Sequence, residues 1–160
     1  MVEKIKIECR INGKPMSLNA YPMARLLDVI REEGKLVGSK EGCGEGECGA
    51  CAILINGELV NSCLVPAIQA DGTDITTIEG IAKNGELNAI QQSFVEEGGA
   101  QCGMCTPGMM MAAVYLLKKN PNPSEEEMRT AFSGNLCRCT GYTKIFSAIV
   151  KSVQKTKGRS

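Results

Sequence analysis

The sequence predicts an α+β chain in two parts, a sheet domain over residues 1–79 and a helical domain over residues 80–160. Three observations carry that expectation. Apolar residues alternate near the N-terminus, Asn-Gly pairs stand where tight hairpins turn, and after Gly80 the apolar spacing becomes helical.

In Ile5, Ile7, Cys9 and Ile11 every second residue is apolar, while Lys4, Lys6, Glu8 and Arg10 point the other way. That period of two marks a half-buried strand. Asn12-Gly13 supplies the positive-φ pair of a tight hairpin, and Pro15–Ala20 returns as its partner. From Met23 the period changes: Met23, Leu26, Leu27 and Ile30 follow helical spacing, with Gly34 as a stop. Ala52–Ile55 and Glu58–Asn61 flank Asn56-Gly57 as a second hairpin, and Asp74–Ile78 is one more strand.

Beyond the boundary at 79–85 the chain reads as four short helices, which fit a small bundle. Leu87–Val95 places Leu87, Ile90, Phe94 and Val95 on one side. Thr106-Pro107 has the form of a helix start continued by Gly108–Lys119. Ser124 followed by Glu127 is a capping box for a helix through Phe132. Thr143–Val153 is the last helix, with Ile145, Phe146, Ile149, Val150 and Val153 on its apolar face.

Composition removes several classes of chemistry. The 160 residues carry zero net charge, 43% hydrophobic and 22% charged residues, so no basic face is available for nucleic acid. The first residues lack the form of a signal peptide. The apolar stretch around Met109–Leu117 is too short to span a bilayer. The expectation is therefore a cytoplasmic protein that does not enter a membrane. No histidine is present, which rules out histidine acid–base catalysis, Rieske centres and Cys/His zinc sites. Nine cysteines in a reducing compartment read as metal ligands rather than disulfides.

Cys43, Cys48 and Cys51 stand as C-x4-C-x2-C, and Cys63 follows after the second hairpin turn. This is the plant-ferredoxin spacing, in which four thiolates hold one 2Fe–2S cluster. Gly42, Gly44, Gly46 and Gly49 let the backbone wrap closely round an inorganic core and aim N–H groups at sulfur. Glu41, Glu45 and Glu47 read as a solvated or partner-facing rim. A structural zinc site is the competing reading, although zinc ribbons present two C-x2-C knuckles instead.

Cys102 and Cys105 form a C-x2-C pair before one helix, and Cys137 and Cys139 a C-x-C pair before another. If those helices pack side by side, their N-termini bring four thiolates together where N–H groups favour anions. Zinc competes more closely here than at the first set. Cys9 lies on the apolar face of the first strand and reads as a small core residue. Met109–Met111 read as core filling, with one side free to face a partner.

Four segments together resemble one family, the small iron–sulfur subunits of the molybdenum hydroxylases. They are GCGEGECGAC at 42–51, VNSCL at 60–64, QCGMCTPG at 101–108 and GNLCRCTGY at 134–142. The resemblance runs from about residue 3 to 154 and implies a plant-ferredoxin-like β-grasp domain followed by a four-helix bundle domain. It implies two 2Fe–2S clusters, that of Cys43, Cys48, Cys51 and Cys63 toward a flavin subunit carrying FAD. The cluster of Cys102, Cys105, Cys137 and Cys139 would face molybdopterin, in its cytosine dinucleotide form, with molybdenum on a large subunit. Gln101 would hydrogen-bond the pterin and Cys139 lie closest to it; without the resemblance, Gln101 reads as capping a local turn. Met104 departs from the phenylalanine of many relatives, which implies altered packing beside the second cluster. The implied activity is single-electron transfer within a complex that oxidises a small substrate, an N-heterocycle such as nicotinate or a purine being favoured. A free-standing two-cluster ferredoxin and a zinc-stabilised binding module are the competing functions.

Overall fold

The computed structural model describes residues 3–158. Strands β1 (Ile5–Ile11) and β2 (Lys14–Ala20) come first, then helix α1 (Leu26–Glu32). Strands β3 (Ala52–Ile55), β4 (Glu58–Asn61) and β5 (Asp74–Thr76) complete the sheet. Helices α2 (Ala89–Glu97), α3 (Thr106–Lys119), α4 (Glu125–Ala131) and α5 (Thr143–Lys157) follow. None of the described helices is long and apolar enough to cross a membrane.

The sheet is mixed and runs β2-β1-β5-β3-β4, with β1 and β5 parallel and the other pairs antiparallel. Both hairpins turn on two residues of positive φ, Asn12 (53°) with Gly13 (77°) and Asn56 (51°) with Gly57 (85°). Such turns match the right-handed strand twist and fix the register. The turn asparagines also anchor the chain beyond the hairpins. Asn12 Oδ1 accepts from Thr77 N and its amide donates to Thr77 Oγ1, both at 2.9 Å. Asn56 Oδ1 accepts from Asp74 N at 2.9 Å. These bonds hold the segment that leaves the sheet for the helices.

Several elements start or stop elsewhere than periodicity suggests, among them α2, which runs from Ala89 to Glu97 rather than Leu87 to Val95, and α5, which continues to Lys157 rather than Val153. The helix read from Met23 begins at Leu26, and Met23 is exposed. Residues 22–26 are instead committed to 65–68, through Leu26 N to Val65 O (2.8 Å), Ala67 N to Ala24 O (2.8 Å) and Ile68 N to Pro22 O (3.0 Å). A backbone spent on that pairing cannot also close helical turns. The last strand ends at Thr76 rather than Ile78, because Asn12 takes Thr77 and a 3-10 turn follows over Ile78–Gly80. Helix α2 opens with a capping box in which Asn88 accepts from Gln91 N and Gln91 returns the bond. It buries Ile90, Ser93 and Phe94 but leaves Leu87 and Val95 exposed. The capping box at Ser124 and Glu127 forms as the sequence suggests.

Two cores meet at β3. Ile53 packs with Ile7, Cys9, Ile11, Leu18, Ile30 and Ile75 between the sheet and α1. Its neighbours Ala52 and Leu54 point the other way, into a core of Phe94, Met109, Met111, Ile145 and Ile149. Side chains alternate across a strand, so one strand serves both cores. Met109, Met110 and Met111 are all buried, which settles that run as core. The main partner of α5 is α2, fastened by Lys151 to Glu97 at 2.6 Å and Lys155 to Glu96 at 2.5 Å.

Helix α3 begins against the loop that precedes β3. A Cβ added at Gly108 would run into the backbone carbonyl oxygen of Gly49. Backbone cannot swing aside as a flexible side chain can. Gly108→Ala is therefore expected to lower the unfolding free energy by about 1–3 kcal/mol, the usual cost of overpacking, read from denaturation midpoints. An unchanged midpoint would mean that α3 is not seated on Gly49.

Candidate functional site

The first cysteine loop is shaped by its glycines and by bonds onto sulfur. Gly44, Gly46 and Gly49 have φ of 71°, 80° and 67°, while at Gly42 an added Cβ would lie 2.7 Å from Cys48 Sγ. The N–H groups of Glu45 (3.3 Å), Glu47 (3.3 Å) and Cys48 (3.4 Å) all donate to Cys43 Sγ, and Cys43 N donates to Cys48 Sγ at 3.3 Å. Those three amides hold the Cys43 thiol down at about 7, because they favour the thiolate over the thiol.

Cys51 and Cys63 form the other half of this set. Both are buried against Leu27 of α1. Ser62 fixes the spacing, its hydroxyl donating to Cys51 O at 2.8 Å while its own carbonyl accepts from Leu27 N at 3.1 Å. Burial, followed by the bond shared with Cys51, pushes Cys63 up to about 11.

The second set assembles from two loops. Cys102 and Cys139 are exposed, with sulfurs 3.5 Å apart. The Met104 amide and then Cys139 lower the Cys102 thiol, and the bond shared with Cys102 raises Cys139. Cys105 and Cys137 lie deeper and also share a bond; burial and that bond push Cys105 up to about 12. Burial presses Cys137 upward too, but the hydroxyl and amide of Thr140 outweigh it and leave Cys137 lowered. The four thiols line one cavity of about 290 Å³, and Cys48 and Ala50 of the first loop form part of its wall.

The two helices that follow these loops are not what brings the cysteines together. Helix α5 lies along α2, and the Cys137 loop is pinned to the first loop instead. Leu136 N donates to Cys48 O at 2.9 Å, and Asn135 Nδ2 donates to Gly49 O at 3.3 Å from a buried position. Tyr142, at φ 66°, accepts from Cys137 N through its hydroxyl at 3.0 Å.

The eight thiols thus stand as four pairs, Cys43 with Cys48, Cys51 with Cys63, Cys102 with Cys139 and Cys105 with Cys137. A 2Fe–2S cluster needs two thiolates on each of its two irons. A zinc ion would draw four thiolates to one point, whereas these sulfurs stand in pairs. The donor set fits two binuclear clusters.

Other expected residues fall as follows. Cys9 is buried in the sheet core, as its strand position suggests. Gln101 is exposed beside Cys102, and its amide makes no hydrogen bond to another described residue. Met104 is half-exposed at the rim of the second cavity. Glu41 is not a free rim residue: Arg25 grips it at 2.6 and 3.1 Å while also holding Asp28 at 2.8 and 3.0 Å. That fork lowers the Glu41 carboxyl and braces the entrance to the first loop. Arg25, Asn135, Thr140 and Tyr142 escaped the sequence reading. Only the last three carried a signal, standing inside the segment that holds Cys137 and Cys139.

An α+β fold carrying paired thiols in two sets defines a two-centre iron–sulfur protein. Residues 9–77 match the family model of the 2Fe-2S iron-sulfur cluster binding domain, and residues 77–150 that of the [2Fe-2S] binding domain. The chain is 49% identical over 154 residues to the nicotinate dehydrogenase small FeS subunit of Eubacterium barkeri, covering 96% of this chain and 98% of that one. It is 46% identical over 160 residues to the xanthine dehydrogenase iron-sulfur-binding subunit of Escherichia coli O157:H7, covering 97% and 98%. Among solved structures, a chain of quinoline 2-oxidoreductase from Pseudomonas putida 86 superposes with a TM-score of 0.94 at 45% identity, covering 99% of this chain and 98% of that one. The aldehyde oxidoreductase of Desulfovibrio gigas gives 0.91 at 38% identity, covering 98% of this chain but 18% of that longer one. The protein described here belongs to the small iron–sulfur subunits of the molybdenum hydroxylases.

If the pairs are ligand pairs, Cys139→Ser is expected to alter the electron paramagnetic resonance signal of the second centre in dithionite-reduced protein. The first signal should persist unchanged. Loss of both signals from a folded protein would count against two separate sites.

Proposed function

We propose that this chain is the electron-transfer subunit of a molybdenum hydroxylase. Cys43, Cys48, Cys51 and Cys63 hold one 2Fe–2S cluster, and Cys102, Cys105, Cys137 and Cys139 hold the other. The division at 79–80 separates a β-grasp domain from a four-helix bundle domain, each with its own cluster. The observation that carries the reading is the pairing of eight sulfurs in two adjoining sets, the second with an exposed pair and with part of the first loop in its wall.

Each cluster passes one electron at a time, so two in series connect a two-electron donor to a two-electron acceptor. The chain's own residues determine how. Amides of the first loop stabilise negative charge on Cys43, and the low-dielectric surroundings of Cys63 and Cys105 resist it. The bond from Leu136 N to Cys48 O, at 2.9 Å, joins the two loops backbone to backbone, and it is the route proposed for the electron between centres.

The exposed pair Cys102 and Cys139 faces the molybdopterin subunit, where Gln101 offers an amide donor and acceptor to the pterin. The exposed amide of Gln101 next to Cys102, and the half-exposed Met104 and Leu136 lining the cavity of the second set, support a covered surface there. The first cluster delivers electrons to a subunit carrying FAD. The pterin is assigned as the cytosine dinucleotide form, the complex as cytoplasmic, and its substrate as an N-heterocycle. That last assignment follows relatives named as iron–sulfur subunits of nicotinate and xanthine dehydrogenases.

The test is chemical analysis of protein purified without oxygen from its native source. About four iron and four sulfide per chain with little zinc are expected, two of each per cluster, together with co-elution of larger chains carrying molybdenum and flavin. Stoichiometric zinc without sulfide would remove the electron-transfer reading. Clusters on a chain eluting at its own mass of 17.1 kDa would make it a free-standing carrier.

A further inference from the structure

Among the described residues, Thr140 alone sets a hydroxyl against one of the eight sulfurs. Its Oγ1 lies 3.0 Å from Cys137 Sγ, and its backbone N–H donates to the same sulfur at 3.4 Å. The hydroxyl is held in place from behind, since Tyr142 N donates to Thr140 Oγ1 at 3.2 Å. Tyr142 is itself fixed, its hydroxyl accepting from Cys137 N at 3.0 Å and its ring stacking on Phe146 with centroids 6.3 Å apart. A ligating thiolate carries no proton, so the sulfur can only accept and the Thr140 hydroxyl donates.

We propose that Thr140 sets the reduction potential of the second cluster by donating its hydroxyl to the sulfur of Cys137. The proposal rests on Cys137 being a ligand of that cluster. Reduction adds one negative charge that spreads onto the ligand sulfurs, and a donor there stabilises the more negative state. The potential therefore rises. One electron enters and one leaves, and the hydroxyl proton stays on Thr140 throughout. Cys137 belongs to the deeper pair and follows directly on Leu136, the residue bonded to Cys48. The donor thus acts within the deeper pair, on the residue next to the backbone bond to the first loop.

The experiment is an anaerobic redox titration of the intact complex, following both cluster signals by electron paramagnetic resonance. Thr140→Val keeps the branched shape and removes the donor; Thr140→Ser keeps the donor. Valine is expected to lower the reduced-to-oxidised ratio of the second cluster about tenfold at fixed potential, the worth of one hydrogen bond, or about 59 mV for a one-electron couple. Serine is expected to stay near the unsubstituted protein, and the first cluster not to move. Equal shifts for valine and serine, or none for valine, would overturn the proposal. Should valine's second methyl expel the cluster, Thr140→Ala against Thr140→Ser makes the same comparison, and equal potentials overturn it. Failure of the underlying ligand assignment has a separate signature, because the second signal would then survive Cys137→Ala unchanged.

Discussion

The contact on which this structure depends is between backbones. The N-terminus of α3 comes down at Gly108 onto the carbonyl of Gly49, and the loop ahead of α5 is tied to Cys48 and Gly49 by Leu136 and Asn135. Residues 48–50 are therefore both the end of the first cysteine loop and the floor on which the second set is built. Neither glycine could carry a side chain without moving that floor. A helix N-terminus, a buried asparagine and a strand entry all converge on one short stretch, and the two sets of sulfurs inherit their separation from it.

The sulfur pairs differ in their surroundings, and the difference runs in a consistent direction. In each set one pair lies nearer solvent and has a thiol drawn down, Cys43 by three amides and Cys102 by the Met104 amide. The deeper pair in each set has a thiol pushed up by burial, Cys63 and Cys105. Desolvation and amide dipoles oppose one another across the width of each site. Cys137 is the exception, deep yet lowered, and the cause is the hydroxyl and amide of one threonine.

Much of this was legible in the sequence because it is local. Alternation at Ile5 to Ile11, the Asn-Gly turns, the capping box at Ser124 and the glycine-rich cysteine loop are all set by neighbours within a few residues. What could not be read depends on chain segments far apart. Met23 looks helical until residues 65–68 claim its neighbours as partners. Glu41 looks free until Arg25, sixteen residues earlier, grips it. The convergence of Cys102, Cys105, Cys137 and Cys139 was legible as a spacing pattern, but its cause was not. It comes from pinning to the first loop rather than from two parallel helices.

The double-sided burial of β3 bears on how the chain comes apart. Ile53 belongs to one core and Ala52 and Leu54 to the other, so the strand cannot leave its place without opening both. Independent units are joined by few contacts and melt separately; these two share a wall. A division of labour in chemistry is thus combined with a single cooperative body in thermodynamics, and heat or denaturant that loosens one centre loosens the mounting of the other.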